Sequence, residues 1–424
     1  MNTELKPGYK QTEVGAIPVD WYVDSIVNVA AITTGDKNTQ DRIADGIYPF
    51  FVRSSTIERI NSYTFDGEAV LTAGDGVGTG KIFHYVKEKF DFHQRVYKIS
   101  NFCDRLDGYY FYLYFSSNFY PRIMQMTAKS SVDSIRREMI ANMRIPLPPP
   151  TEQRAIAAAL SDVEALVTKL DALISKKRDL KQAAMQQLLT GTTRLPGFAG
   201  PWVVTPFDKL FSFSGGLSAS RDQLSDSGYC YLHYGDIHKS TRTFIDVEKE
   251  YSEIPKLDVR LSNVNVSSLL RDGDIVFVDA SEDDEGTSRH LVVANRGNIP
   301  YISGLHTLVA KSRDERLDNN FKRFCFQTQS VKDQFRFFAV GTKVSGINKS
   351  TIRKVELEFP TMLEEQTAIA TILSDMDAEI TAIEARRDKT RELKQGMMQE
   401  LLTGRIRLVG GLDCEPTATQ EPPR

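Results

Sequence analysis

Between residues 152 and 189 the apolar and small positions fall at Leu160, Val163, Val167, Leu170, Ile174, Ala184 and Leu188, a three- and four-residue spacing broken at Lys177 and Lys181. That spacing lines one face of a helix and predicts a coiled-coil seam. A second seam runs through Leu373, Met376, Ile380, Ile383, Met397 and Leu401, broken at Arg387, Thr390 and Lys394. Neither stretch contains proline, Gly396 weakens only the second, and each ends at Thr-Gly, a C-terminal stop. At about 1.5 Å per residue, a helix over 151–189 is about 58 Å long. Such a helix is not stable alone in water, so the two are expected to pack on one another, antiparallel, with Lys177, Lys181, Arg387 and Lys394 where the seam loosens.

The two seams are copies. Counted from Glu152 against Glu365, 24 of 44 positions are identical at a constant offset of 213 residues and without a gap. Glu152-Gln153-Arg154-Ala155-Ile156-Ala157 returns as Glu365-Gln366-Thr367-Ala368-Ile369-Ala370, and Leu188-Leu189-Thr190-Gly191 as Leu401-Leu402-Thr403-Gly404. The chain is therefore a duplicated half.

Each helix is preceded by about 150 residues of a different texture, with short β-type runs such as 48–52, 69–71, 275–278 and 291–293 punctuated by Gly, Asp and Ser. Both read as mixed α/β globules. Gly67-Glu68-Ala69-Val70-Leu71 parallels Gly273-Asp274-Ile275-Val276-Phe277, and Val132-Asp133-Ser134-Ile135 parallels Val344-Ser345-Gly346-Ile347, although the sequences otherwise diverge. Each globule opens on a tryptophan, Trp21 or Trp202, and closes on a proline-bearing segment. Pro148, Pro149 and Pro150 mark the hinge into the first helix. The aromatic run 109–115 has the spacing of a helix packed on its sheet. The divisions are 1–150 first globule, 151–195 first helix, 196–360 second globule, 361–408 second helix and 409–424 a Pro/Thr/Glu-rich disordered tail.

Composition changes the picture little. A net charge of -3 gives no general attraction to nucleic acid, so any such binding must come from local patches. No run of 18 apolar residues spans a membrane and the N-terminus lacks a signal-peptide core, so the chain is expected in the cytoplasm. Cys103, Cys230, Cys325 and Cys414 are scattered and suggest free thiols.

Three motifs hint at catalysis and fail. The loop 74–81 has Asp75 and Ile82 where a Walker A loop needs Gly and Ser or Thr. Asn298-Ile299-Pro300-Tyr301 lacks the first proline of the adenine-methyltransferase Asn-Pro-Pro-Tyr motif and has no Gly-rich cofactor loop near it. The run Glu282-Asp283-Asp284-Glu285 lacks the turn-imposed spacing of a metal loop and reads as a solvated segment.

The order of tryptophan-opened globule, proline hinge, Glu-Gln-x-Ala-Ile-Ala helix and Leu-Leu-Thr-Gly stop, given twice, resembles the specificity subunit of type I restriction-modification systems over nearly the whole chain. The resemblance implies an α+β chain, in which two mixed α/β target-recognition domains are separated by two long helices forming an antiparallel coiled coil, with internal pseudo-twofold symmetry. It implies that each globule reads one half of an interrupted double-stranded DNA target. It implies partners as well: two modification subunits that methylate adenine, and restriction (motor-nuclease) subunits. S-adenosylmethionine, ATP and Mg would then sit on those partners and no cofactor on this chain, which would not be an enzyme. The helices read equally as a spacer and as a docking surface, and the two are compatible; the docking candidates are Glu152, Gln153, Ile156, Leu188, Leu189, Glu365, Gln366, Ile369, Leu401 and Leu402.

DNA contacts need paired donors and acceptors at base edges and Lys, Arg, Ser or Thr at phosphates. In the first globule the loops after apolar strands offer Arg53, Ser54, Ser55, Asp75, Lys81, Gln94 and Arg95, followed by Ser130, Arg136 and Arg137. In the second they offer His233, Asp236, His238, Lys239, Ser281, Arg289, His306, Lys343, Ser345, Asn348 and Lys349. Half-sites on one face of B-DNA lie about 34 Å apart, so helix length is expected to act as the ruler for the bases between them. Two other classes compete: a free-standing methyltransferase or nuclease, which would bind cofactor or metal by itself, and a structural adaptor, which would show no sequence-selective DNA binding.

Overall fold

The computed structural model describes residues 5–126, 134–238, 240, 242–281, 288–339 and 345–408. They form two compact units, Met1–Asp171 with Ala385–Arg424, and Ala172–Glu384. Each unit holds one globule and a part of both long helices.

The first globule contains β1 (Ala31–Thr34), β2 (Tyr48–Phe51), β3 (Ile57–Ile60), β4 (Phe65–Ala73), β5 (Phe83–Phe92) and β6 (Val96–Ser100), in the order β1-β6-β4-β5-β2-β3. Every pairing is antiparallel except that of β2 with the end of β5. Helix α1 (Gly108–Met126) follows. Its Phe111, Phe115 and Phe119 stack in a row, with ring centroids 5.2 and 4.5 Å apart, and Phe83 of β5 meets Phe115 edge-on at 5.4 Å. All three α1 rings are fully buried, which accounts for the aromatic run as core.

The second globule is built on β7 (Phe211–Gly215), β8 (Phe244–Asp246), β9 (Ile275–Val278), β10 (His290–Ala294) and β11 (Thr307–Ser312) in the order β7-β11-β9-β10-β8, with only β8 and β10 parallel. Matched in chain order, this is the order and polarity of β1, β2, β4, β5 and β6. Residues 69–71 and 275–277, paired by sequence, occupy the same place in the two sheets. An additional four-stranded sheet, which includes Tyr229–Leu232 and Tyr301–Ser303, is an elaboration of the second globule.

The long helices are α2 (Pro150–Leu188) and α3 (Leu363–Leu401), 39 residues each. Pro150 opens α2, a position where its missing N–H is no loss. In the first unit Glu164 pairs with Lys394, and Asp171 with Arg387 and Arg391; in the second, Lys177 pairs with Glu379 at 2.7 Å, Lys181 with Asp377 at 2.5 Å, and Arg178 with Glu384. From Glu164 to Asp171 the partners step back from Lys394 to Arg391 and Arg387, and from Lys177 to Lys181 they step back from Glu379 to Asp377, so the helices are antiparallel in both units. The basic residues that interrupt the seam thus face carboxylates of the other helix. As part-exposed pairs each contributes well under about 1 kcal/mol, and they select register more than they stabilise.

The Glu-Gln motif has a different role from the one the resemblance suggested. Gln153 accepts a hydrogen bond from the Asp107 N–H (2.8 Å) and donates to the Arg105 (2.7 Å) and Pro148 (2.8 Å) carbonyls. Asp107 in turn caps α1, accepting from the N–H groups of Tyr109 and Tyr110. Gln366 repeats this in the second unit with Asp318, Arg316 and Pro360, each at 2.8 Å, and Asp318 accepts from the N–H groups of Asn320 and Phe321. The motif locks each helix onto its own globule. Glu152, Gln153, Ile156, Glu365, Gln366 and Ile369 are at most 1 % exposed, and Leu188, Leu189, Leu401 and Leu402 are buried too. The ten docking candidates are therefore spent inside the chain and present no surface to a partner. Gln366→Ala strands two carbonyls and one N–H, and should lower the stability of the second unit by about 2 kcal/mol; a shift in its urea midpoint checks this, and an unchanged midpoint would refute the lock.

Candidate nucleic-acid interface

In the first unit, three loops meet beyond β4. Gly74 donates its N–H to the Arg95 carbonyl (2.8 Å) and accepts from the Ile135 N–H (2.7 Å), and Asp75 bridges to Ser134. A Cβ on Gly74 would lie 2.8 Å from the Arg95 oxygen, so only glycine allows this approach. On this frame the Asp75 carboxylate lies 3.0 Å from Arg53 Nη1 and 3.8 Å from Arg95 Nε. A cleft of about 470 Å³ opens beside it, lined by Gly74, Asp75, Gln94, Arg95, Tyr97 and residues 134–138, so Arg136 and Arg137 face the same space.

His93, directly before this pair, is buried, and its Nδ1 accepts the Arg95 N–H at 2.9 Å. Burial, helped by the Arg53 charge, pushes its pKa down, so it stays neutral and serves as a brace. Gln94 donates to Asn38 at 2.5 Å. Ser54 lies half-buried in its own turn and Ser55 is exposed. Lys81 rests its ammonium 4.8 Å above the Tyr120 ring.

The second unit repeats the frame with other side chains. Asp279 donates its N–H to the His306 carbonyl (3.2 Å) and accepts from the Ile347 N–H (2.8 Å), just as Gly74 does with Arg95 and Ile135. His306 Nδ1 lies 3.4 Å from the Asp279 carboxylate, and burial pushes that carboxyl up. The His306 ring meets Tyr234 edge-on at 5.5 Å. Next to it Arg221 holds Asp236 at 2.6 Å and approaches His233 Nδ1 at 3.2 Å. Burial and Arg221 both lower the His233 pKa.

Sequence reasoning missed Arg221, which does not stand directly after a strong apolar run; Tyr234 was not named, although it lies between His233 and Asp236, which were, just after the apolar strand Tyr229–Leu232. Arg289 is half-buried, its carbonyl accepting the Val278 N–H at 3.1 Å, and Lys349 is exposed. Asn348 is exposed, and its side-chain oxygen caps a short helix, accepting from the N–H groups of Ser350 and Thr351. Ser281 and Ser345 are placed by their backbone pairing, and His238 by its helix. Ser130, Lys239 and Lys343, with the acidic run 282–285, lie outside the described residues. The Asn298-Ile299-Pro300-Tyr301 stretch is structural, with the Asn295 amide binding both the N–H and the carbonyl of Ile299 and Tyr301 buried in its strand.

The sequence model of the type I restriction modification DNA specificity domain matches residues 18–177 and 286–394. The chain belongs to this family. The specificity subunit of the EcoDI type I restriction enzyme from Escherichia coli is 32% identical over 178 residues, 42% of this chain and 38% of that relative. The MjaVIII specificity subunit of Methanocaldococcus jannaschii is 22% identical over 428 residues, 94% of this chain and 96% of that one. In structure, the S subunit of a type I restriction-modification system from M. genitalium superposes with a TM-score of 0.60 at 14% identity, over 94% of this chain and 98% of that chain, a likeness of fold. The protein is thus a type I specificity subunit and its globules are DNA target-recognition domains. Among the described residues, no helix of this specificity subunit is long and apolar enough to cross a membrane.

Proposed function

We propose that each target-recognition domain reads one half of a bipartite, interrupted DNA sequence. The paired helices set the number of unread bases between the halves. The chain itself contributes recognition and assembly, and leaves chemistry to its partners: modification subunits carrying S-adenosylmethionine for adenine-N6 methylation, and restriction subunits using ATP and Mg. The observation that carries this reading is the repeated frame at Gly74, Arg95 and Ile135 and at Asp279, His306 and Ile347, which displays an Arg-Asp-Arg group in one domain and a His-Asp-Tyr group in the other. Equal frames with unequal donors and acceptors suit two different half-sites.

The test is methylation-site sequencing of cells that hold the modification subunit with and without this chain. The expected result is an interrupted motif, methylated on adenine in both halves, that vanishes with the chain; no chain-dependent motif would favour an adaptor. Inserting about one helical turn in α2 or α3 should lengthen the unread gap, and an unchanged gap would refute the ruler.

A further inference from the structure

We propose that the first target-recognition domain reads a G·C base pair in its half of the target, through the guanidiniums of Arg53 and Arg95 held by the carboxylate of Asp75. This rests on the reading of the two domains as half-site readers and assigns a base class to one of them.

The Asp75 side chain is 26% exposed, less than Arg53 at 43% and Arg95 at 66%. The carboxylate therefore sits beneath two outward cations, with one oxygen toward each. A guanidinium has five N–H donors, and the Asp75 contact uses few of them, so each arginine keeps an N–H pair for the O6 and N7 acceptors of guanine. The group is built rather than incidental. Gly74 permits the close approach of the loops that bear Asp75 and Arg95, the Ser134 bridge fixes Asp75, and the buried His93 ring fixes the Arg95 backbone.

A phosphate-binding role fits less well. A carboxylate between the cations removes half of their charge and repels an approaching phosphate. At the matching place of the second domain the frame carries His306 and Asp279, so the expected preference belongs to the first domain alone.

The experiment is methylation-site sequencing with the wild-type chain, the double variant Arg53→Lys/Arg95→Lys, and Asp75→Asn. Lysine keeps the charge but loses the planar fork. The wild-type motif should contain a G·C pair in one half. Both variants should lose about tenfold or more of the discrimination at that pair, while the other half stays fully specified and serves as the control for folding. Three results would overturn the proposal: a motif unchanged in both variants, methylation that falls evenly without loss of base preference, or a relaxed position that is an A·T pair. Absence of any chain-dependent motif with the wild type would instead overturn the half-site reading beneath it.

Discussion

Glu152→Ala should destabilise the first unit by about 3–5 kcal/mol, the range for removing one partner of a buried ion pair. The Glu152 carboxylate has no exposure and accepts three hydrogen bonds: from Arg407 Nε (2.6 Å) and Nη2 (2.7 Å), and from Trp21 Nε1 (3.0 Å). It also lies in the first turn of α2, where the helix dipole favours a negative charge. Removing it leaves the Trp21 N–H without its acceptor and Arg407 with only Asp20, whose carboxyl that arginine already holds below the usual range. Glu365 is the counterpart, held by Arg194 at 2.6 and 2.7 Å, but Trp202 Nε1 is buried without a partner. Glu365→Ala should therefore cost the second unit less, by about 1.5 kcal/mol, the value of one hydrogen bond to a charge. Hydrogen exchange in β4 and β9 reports the two units separately. A loss below about 1 kcal/mol in both would show that the pairs are dispensable. Ending the chain at Gly404 removes Arg407 and should match Glu152→Ala, whereas replacing Glu152 and Arg407 together by packed apolar residues should restore most of the loss.

The seam, the duplication and the strand correspondence were legible because each is a periodicity or a register, properties that side-chain identity alone displays. Val70 and Val276 fall on the same strand of the two sheets, and the antiparallel pairing follows once Lys181 and Asp377, then Lys394 and Glu164, are seen to face one another. The Glu-Gln motif was harder. Repetition shows that a residue is constrained, not whether the constraint is internal or comes from a partner. A second short repeat would have decided it: Arg105-Leu106-Asp107 returns as Arg316-Leu317-Asp318, the two segments that Gln153 and Gln366 bind. In the first domain, loops chosen because they end apolar strands brought Arg53, Asp75, Gln94, Arg95, Arg136 and Arg137 to one place. In the second, the inserted sheet adds Arg221 from a segment far from the framing strands, and no local pattern announces such a convergence.

The second unit should lose about 3 kcal/mol of stability as pH falls from 6.5 to 4, through His290. This side chain is fully enclosed, with its ring 5.1 Å from Phe326 and 5.8 Å from Phe277. Its two nitrogens face the carbonyls of Ser288 and Arg323, at 3.5 and 3.4 Å. Those two acceptors would favour the doubly protonated ring. Both contacts are long, however, and burial wins, pushing the pKa down to about 4, with the Lys332 charge acting in the same sense. Above pH 6.5 folded and unfolded chains both hold it neutral and it contributes no pH dependence. Between 6.5 and 4 the unfolded chain takes up a proton that the folded unit refuses, so stability drops by about 1.4 kcal/mol per pH unit. His233, also depressed by burial, adds to the loss, while Asp279, whose pKa is raised, opposes it. His290→Phe and His290→Asn remove this titration and leave those groups in place. Exchange in β9 at pH 7 and pH 5 should then show a steep acid loss in the wild type and a shallow one in both variants. Equal slopes would mean that the folded unit admits the proton, and that the two carbonyls outweigh the desolvation of the charged ring.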